Sequence, residues 1–213
     1  ADAAKQSPTN TVLSGPAGGI AGGAFLGEAL ARKDLITFDV GGTSLDVCLI
    51  EDGRAAAAFE ASLENHPLLI PIYDIRTIGA GGGSIAWLDA GLLNVGPQSA
   101  GAEPGPICYG RGGTQPTVTD ACLVLGYIDP DAFLGGTMRL DDAGASSGLN
   151  TTIAEPMSVT PEAAAAGILD ILMAKTVGAV RQITVERGRD PRESALLAFG
   201  GAGPLFGAMC GHE

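Results

Sequence analysis

Apolar positions along the chain fall into short runs separated by glycine, proline and acidic turns, and the period of each run predicts an element. "SGPAGGIAGGAFLGEALARK" predicts a helix opening at Ser14 or Gly15, with Pro16 in its first turn. Gly19, Gly23 and Gly27 recur every four residues, leaving one helical face almost bare backbone and open to the close approach of another element. Each such glycine costs about 0.5–1 kcal/mol against alanine, which tertiary contact has to offset. Strands follow at residues 35–39 and 45–50, joined by a bend at Gly41-Gly42. Asp52-Gly53 is a hairpin turn into a third strand over residues 54–61, so three consecutive antiparallel strands are expected. Residues 70–78 predict a further strand leading into "GAGGGSIAWLDAG", where Gly81 to Gly83 precede a helix or a hairpin.

The second half is less regular. Residues 94–117 hold no periodic segment, and so long a loop in a compact domain is usually functional. Residues 117–127 predict a helix, and residues 129–158 read as turn-rich. The strongest helix has Thr160 as N-cap, Pro161 at its first position and a stripe through Leu169, Leu172, Met173, Val180 and Ile183, with Gly188 placed to cap its end. "SALLAFGGAGPLFGAM" then predicts a strand, a glycine turn and a helix.

At 213 residues, 46% of them hydrophobic, the chain has room for one large globular domain or two small ones. A net charge of −12 makes nucleic acid and anionic membrane surfaces poor partners. The three lysines (Lys5, Lys33 and Lys175) all lie outside the glycine clusters, so a bound phosphate would have to be held by backbone N–H groups and a metal cation. Cys48, Cys108, Cys122 and Cys210 form no CxxC pair and only two histidines accompany them, which predicts ordinary thiols in a reducing compartment, with neither a disulfide framework nor structural zinc. The first ten residues lack the apolar core of a signal peptide, and the most membrane-like stretch, residues 16–31, is short and contains Glu28. A soluble, cytoplasmic protein is expected.

The candidate chemistry lies in "FDVGGTSLDV". A carboxylate at the end of a strand, followed by Gly-Gly-Thr-Ser in a tight bend, lets consecutive N–H groups converge on an anion with no Cβ in the way. Gly41 and Gly42 supply the bend, Thr43 and Ser44 add hydroxyl donors, and Asp39 and Asp46 are placed to hold Mg²⁺ directly or through its waters. The alternative is an acidic hairpin turn without a ligand. Gly200, Gly201, Ala202 and Gly203 follow a strand and open a helix, a geometry suited to an anion at a helix N-terminus. They do not complete a dinucleotide fingerprint, and "GAGGGS" lacks the Gly-Lys-Ser ending of a P-loop. Ser84 sits in no nucleophile elbow. Asp120 reads as a helix cap first, with a supporting acid or a general base as alternatives. Arg111 could meet a phosphate or carboxylate or simply face solvent, and His66, before Pro67, reads as solvent-facing.

Taken in order, "SGPAGGIAGG", "FDVGGTSLDV", "IGAGGGSIAW", "VGPQSAGAEPGPICYGRGG", "PTVTDACLVLG", "ITVERGRDP" and "AFGGAGPL" resemble the hydantoinase/oxoprolinase family, the ATP-dependent N-methylhydantoinase A-type subunits related to 5-oxoprolinase and an acetone carboxylase subunit. The resemblance implies an α/β fold, an actin-like ATPase (RNase H-like) domain with a mixed sheet and flanking helices. It makes residues 38–53 the second phosphate hairpin, with Asp39, Gly41, Gly42, Thr43 and Ser44 facing ATP phosphates and Mg²⁺, and residues 198–207 the adenosine turn. It implies ATP-driven opening of a cyclic amide by phosphorylation of its carbonyl, completed by a second, B-type subunit or fused domain. The carboxylase branch and an assembly module with a vestigial ATP site are the alternatives. The sequence has one Asp-x-Gly-Gly-Thr segment where the family's full-length chains carry two, so a single domain fragment lacking the first phosphate hairpin is expected. Arg76 and Phe206 stand where many members have histidine.

Overall fold

The computed structural model describes residues 14–58, 61–63, 66–68 and 72–213. In chain order, helix α1 (Ser14–Ala29) precedes strands β1 (Leu35–Val40), β2 (Leu45–Glu51), β3 (Arg54–Ala55), β4 (Ala57–Ala58), β5 (Ala61–Leu63), β6 (His66–Leu68), β7 (Ile72–Tyr73) and β8 (Ile75–Ile78). The pair β9 (Ser84–Asp89) and β10 (Leu92–Ser99), helices α2 (Val118–Val124), α3 (Asp142–Leu149) and α4 (Pro161–Val185), strand β11 (Ala195–Phe199) and helix α5 (Gly203–His212) complete the order. The chain divides into two compact units, one of residues 1–39, 46–77 and 179–199, the other of residues 40–45, 78–178 and 200–213.

The first unit is organised by a five-stranded sheet of order β11-β1-β2-β3, with β8 also paired to β2. β1 and β11 run parallel, from Leu35 opposite Ala195 to Asp39 opposite Phe199. Both β1 and β2 are nearly continuous apolar runs because the sheet is covered on both faces, and Phe38, Val47, Cys48 and Ile50 are fully buried. Asp52 and Gly53 both take positive φ, 49° and 75°, as the two-residue hairpin joining β2 to antiparallel β3 requires. The glycine face of α1 is a packing face: a Cβ on Gly19 would lie 2.6 Å from the Phe199 ring, and one on Gly27 2.6 Å from Leu35. Ile20, Leu35, Cys48 and Ile50 form the core that results. The third strand expected over 54–61 breaks at Ala56: β3 stays on β2, whereas β4 pairs with β7, Ala57 opposite Tyr73. Residues 59 and 60 lie outside the described residues, as do 70 and 71 of the strand expected over 70–78.

In the second unit the segment after Gly83 is a hairpin, and β10 runs through Ser99 into the stretch expected to be loop from residue 94. Gly96 and Pro97 hid that strand, and the ladder is irregular between Val95 and Ser99. The turn-rich reading of 129–158 holds over 129–141 and is corrected beyond it, since α3 continues through a wide turn at Asn150–Ala154 and a last turn at Glu155–Met157. A Ser- and Gly-rich sequence forms this helix because Ala145, Leu149, Ile153 and Ala154 are buried, so tertiary packing overrides propensity. At α4 the Thr160 hydroxyl accepts from the Ala163 N–H at 3.2 Å, and Gly188, at φ 69°, donates to the Val185 carbonyl at 2.9 Å. Among the described residues this helix, not residues 16–31, is the one long and apolar enough to cross a bilayer by length and composition, and 44% of its apolar window is buried inside the protein. A second core gathers Cys108, Leu123, Leu140 and Ala145 against Tyr109, Ile128 and Phe133.

All four cysteines are free and buried. Burial pushes the thiols of Cys48 and Cys122 up to about 12 and that of Cys210 to about 11, and raises Cys108 further with help from the Asp120 carboxylate. They therefore stay protonated and unreactive at pH 8. A water-soluble disulfide reagent should label none of them in the native protein and every one after denaturation; rapid native labelling would contradict this placement.

Candidate functional site

In the first unit, Asp39 is the last residue but one of β1 and Asp46 the second of β2, each half-buried, and both border one shallow crevice with Thr37 and Phe199. The Thr77 hydroxyl donates to Asp46 Oδ1 at 2.5 Å, orienting that carboxylate. Burial, and then the negative charge of Asp46, hold the Asp39 carboxyl above its ordinary range. Two partly buried carboxylates that repel one another are relieved by a shared cation. Among the described residues no cluster of three or more His, Cys, Asp and Glu is placed to hold a metal. A pair of hard oxygen donors, completed by water and phosphate oxygens, is coordination that suits Mg²⁺.

In the second unit, the bend at 41–44 closes on a bond from Gly41 N–H to the Ser44 carbonyl at 3.0 Å. Among the described residues, the N–H groups of Gly42, Thr43 and Ser44 donate to no protein acceptor. The bend is held from its carbonyl side: Gly82 N–H donates to Gly41 O at 3.0 Å and Gly83 N–H to Gly42 O at 2.6 Å. That contact requires glycine, because a Cβ on Gly81 would lie 2.7 Å from Gly41 O and one on Gly83 2.9 Å from Gly42 O. Thr119 secures the buttress in turn, its N–H and its hydroxyl both donating to Gly82 O at 2.8 Å. Ala202 N–H donates to Val40 O at 2.8 Å, which fixes the turn of Gly200, Gly201, Ala202 and Gly203 to the same bend. Gly200 has φ 87°, and Gly203 opens α5.

These segments converge on one cavity of about 270 Å³, bordered by Gly41, Gly42, Gly82, Gly83, Gly201 and Ala202 together with Tyr109, Phe133, Leu134 and Leu205. A Cβ on Gly42 or Gly201 would meet nothing within 4 Å, so at both positions the protein leaves open the space that a side chain would fill. In the second unit a backbone cradle whose N–H groups are unused among the described residues fits a phosphate; in the first unit the carboxylate pair fits a divalent cation. The role of Gly81 to Gly83 and the far wall escaped the sequence reading, since both depend on non-local contacts; the run of glycines without a recognised motif was the available signal.

Asp120 is fully buried on α2. Its carboxylate accepts from Ile107 N–H at 3.2 Å, Cys108 N–H at 2.8 Å, Thr117 N–H at 2.8 Å and the Thr117 hydroxyl at 2.8 Å. The helix cap is therefore Thr117, and Asp120 stands at the third helical position of a reciprocal capping box rather than at the cap itself. These contacts account for its burial in structural terms. Arg111 is exposed in the loop after Gly110. The side chain of His66 lies outside the described residues.

The family model for hydantoinase/oxoprolinase matches residues 1–213, and the chain belongs to that family. It is 41% identical to the acetophenone carboxylase gamma subunit of Aromatoleum aromaticum, over 96% of this chain and 28% of that one. Its structure matches the ATP-dependent caprolactamase of Pseudomonas jessenii with TM-score 0.86 and 42% identity, over 93% of this chain and 29% of the other. It matches acetone carboxylase, solved free of nucleotide, with TM-score 0.87 and 34% identity, over 94% and 29%. The fold is accordingly α/β, a mixed sheet with flanking helices of the actin-like ATPase type. The chain spans less than a third of the length of these relatives.

Proposed function

We propose that this chain is the nucleotide-binding part of an ATP-dependent enzyme that opens a cyclic amide. The observation that carries the reading is the convergence of three glycine segments on one cavity beside N–H groups that the protein itself does not use. Asp39 and Asp46 would hold Mg²⁺, the N–H groups of Gly42, Thr43 and Ser44 would receive phosphate oxygens, and Gly201 and Ala202 would border the nucleoside. ATP, when bound, would supply a phosphoryl group to the poorly electrophilic amide carbonyl so that water can add to its carbon, the ring nitrogen leaving as an amine and hydrolysis of the acyl phosphate then releasing carboxylate and phosphate. The chain's residues neutralise and position: the carboxylates fix the cation, and the bend's N–H groups point at developing negative charge. The caprolactamase relative supports the amide branch, and the carboxylase relatives support a second reading in which bicarbonate or an enolate accepts the phosphoryl group. Relatives named as subunits support a partner subunit, an ATP-dependent reaction suits the cytoplasm, and the 213 residues alone are expected to hydrolyse little ATP.

Paired glycine substitutions test the site in the full-length protein with its partner. Gly42→Ala fits the protein without contact but would occupy the cradle, so melting should be unchanged while Mg·ADP affinity falls about tenfold, near 1.4 kcal/mol. Gly81→Ala forces a Cβ onto backbone and should lower stability by about 1–3 kcal/mol. Calorimetric titration and thermal melting separate the two. Undiminished ADP binding by Gly42→Ala would sink the phosphate assignment, and turnover with lactams against ketone plus bicarbonate decides between the branches.

A further inference from the structure

We propose that Tyr109, Phe133 and Leu134 form a hook that recognises the nucleobase, with Leu134 as its closing contact; the proposal rests on the nucleotide reading above and adds the residues that would select the ring. Three independent observations meet here. The Tyr109 and Phe133 rings pair with centroids 5.6 Å apart at 42°, and both border the glycine-walled cavity. Leu134 borders it too, 65% exposed, an unusual state for a leucine that ends a packed aromatic pair. Its backbone is left-handed, φ 51° and ψ 39°, followed by Gly135 and Gly136 also at positive φ. A non-glycine residue in that region is strained, and such strain persists where the surrounding structure holds it and clusters at functional sites. Here the strained turn projects an apolar side chain at the rim of a cavity instead of into the core.

The chemistry of the wall names its ligand. No residue bordering the cavity is charged, in a protein of net charge −12, and the polar side chains there are the Tyr109 phenol and the Thr119 hydroxyl, the latter already donating to Gly82 O. An uncharged planar ring suits such a lining, stacking on aromatic and aliphatic faces. About 270 Å³ approaches the roughly 300–1,000 Å³ of ordinary small-molecule sites, which suits a nucleoside better than a lone small amide ring. Gly41 and Gly42 border the same cavity, and there the phosphates would meet backbone N–H groups.

The test is calorimetric titration of the full-length protein and its Leu134→Gly and Tyr109→Ala variants with three probes: adenosine, Mg·ADP and Mg·tripolyphosphate. Leu134→Gly relieves the left-handed strain, so its melting temperature should hold or rise, and any loss of binding is then not a loss of fold. Adenosine and Mg·ADP affinity should fall about tenfold in both variants, the scale of one lost base-stacking contact, with Mg·tripolyphosphate unchanged. Equal weakening of all three probes, or wild-type adenosine and ADP affinity in Leu134→Gly, overturns the hook and leaves the nucleotide site standing. A wild-type protein that takes up neither adenosine nor Mg·ADP overturns both.

Discussion

Replacing Asp39 by asparagine should lower Mg²⁺-dependent nucleotide turnover of the full-length enzyme by roughly two to three orders of magnitude, the scale of removing one group that stabilises transition-state charge. The same change should leave the fold as stable as before, or slightly more so, when no metal is present. The two effects have opposite signs for one reason. Burial and the neighbouring Asp46 raise the Asp39 pKa above 3.8 in the folded protein. A carboxyl whose folded pKa is raised contributes stability below its unfolded pKa and loses that contribution as pH rises through the folded value. At pH 7 the ionised pair is therefore a liability that asparagine removes. Mg²⁺ reverses the balance by binding the native pair, so added Mg²⁺ should raise the melting temperature of the wild type and not of Asp39→Asn. Melting curves at pH 7 with and without Mg²⁺, beside a phosphate-release assay, measure both halves. Normal turnover by Asp39→Asn would remove the carboxylate from the mechanism.

What the sequence disclosed and what it concealed divide along the range of the contacts involved. Local chemistry was legible: the Asp52-Gly53 hairpin, the Thr160 and Gly188 helix ends, the four-residue glycine spacing of α1 and the strand–turn–helix at 195–212 all rest on neighbours within a few positions. β10 was concealed because Gly96 and Pro97 are turn residues: Gly96 takes φ 61° where the ladder with β9 breaks between Val95 and Ser99, and only the pairing on either side of that break makes the segment a strand. α3 was concealed because Asp-Ala-Gly-Ala-Ser-Ser-Gly has weak helix propensity, and burial of Ala145 and Leu149 decides its state. The candidate site followed the same division. The 39–46 stretch announced itself by composition, whereas its buttress at 81–83 and the Tyr109–Phe133 wall depend on chain segments tens of residues away.

Asp120→Ala should be the most damaging single substitution for stability, costing about 3–5 kcal/mol, the range for removing one partner of a buried, charge-bearing hydrogen-bond network. Four donors converge on this carboxylate, those of Cys108 and Thr117 buried and that of Ile107 partly so, and its removal would leave them without their acceptor. Asparagine should rescue little, because an amide presents two donors of its own to an array of donors. The consequence extends beyond α2. Ile107 and Cys108 carry the chain directly into Tyr109, so loosening their hold on Asp120 should also degrade the ring-binding end of the cavity. Urea unfolding followed by far-UV circular dichroism measures the first effect, and adenosine titration at a temperature where the variant is folded measures the second. The contrary result is specific: Asp120→Asn with wild-type stability and no turnover would identify this acid as a reacting group, and its four bonds as the means of orienting it.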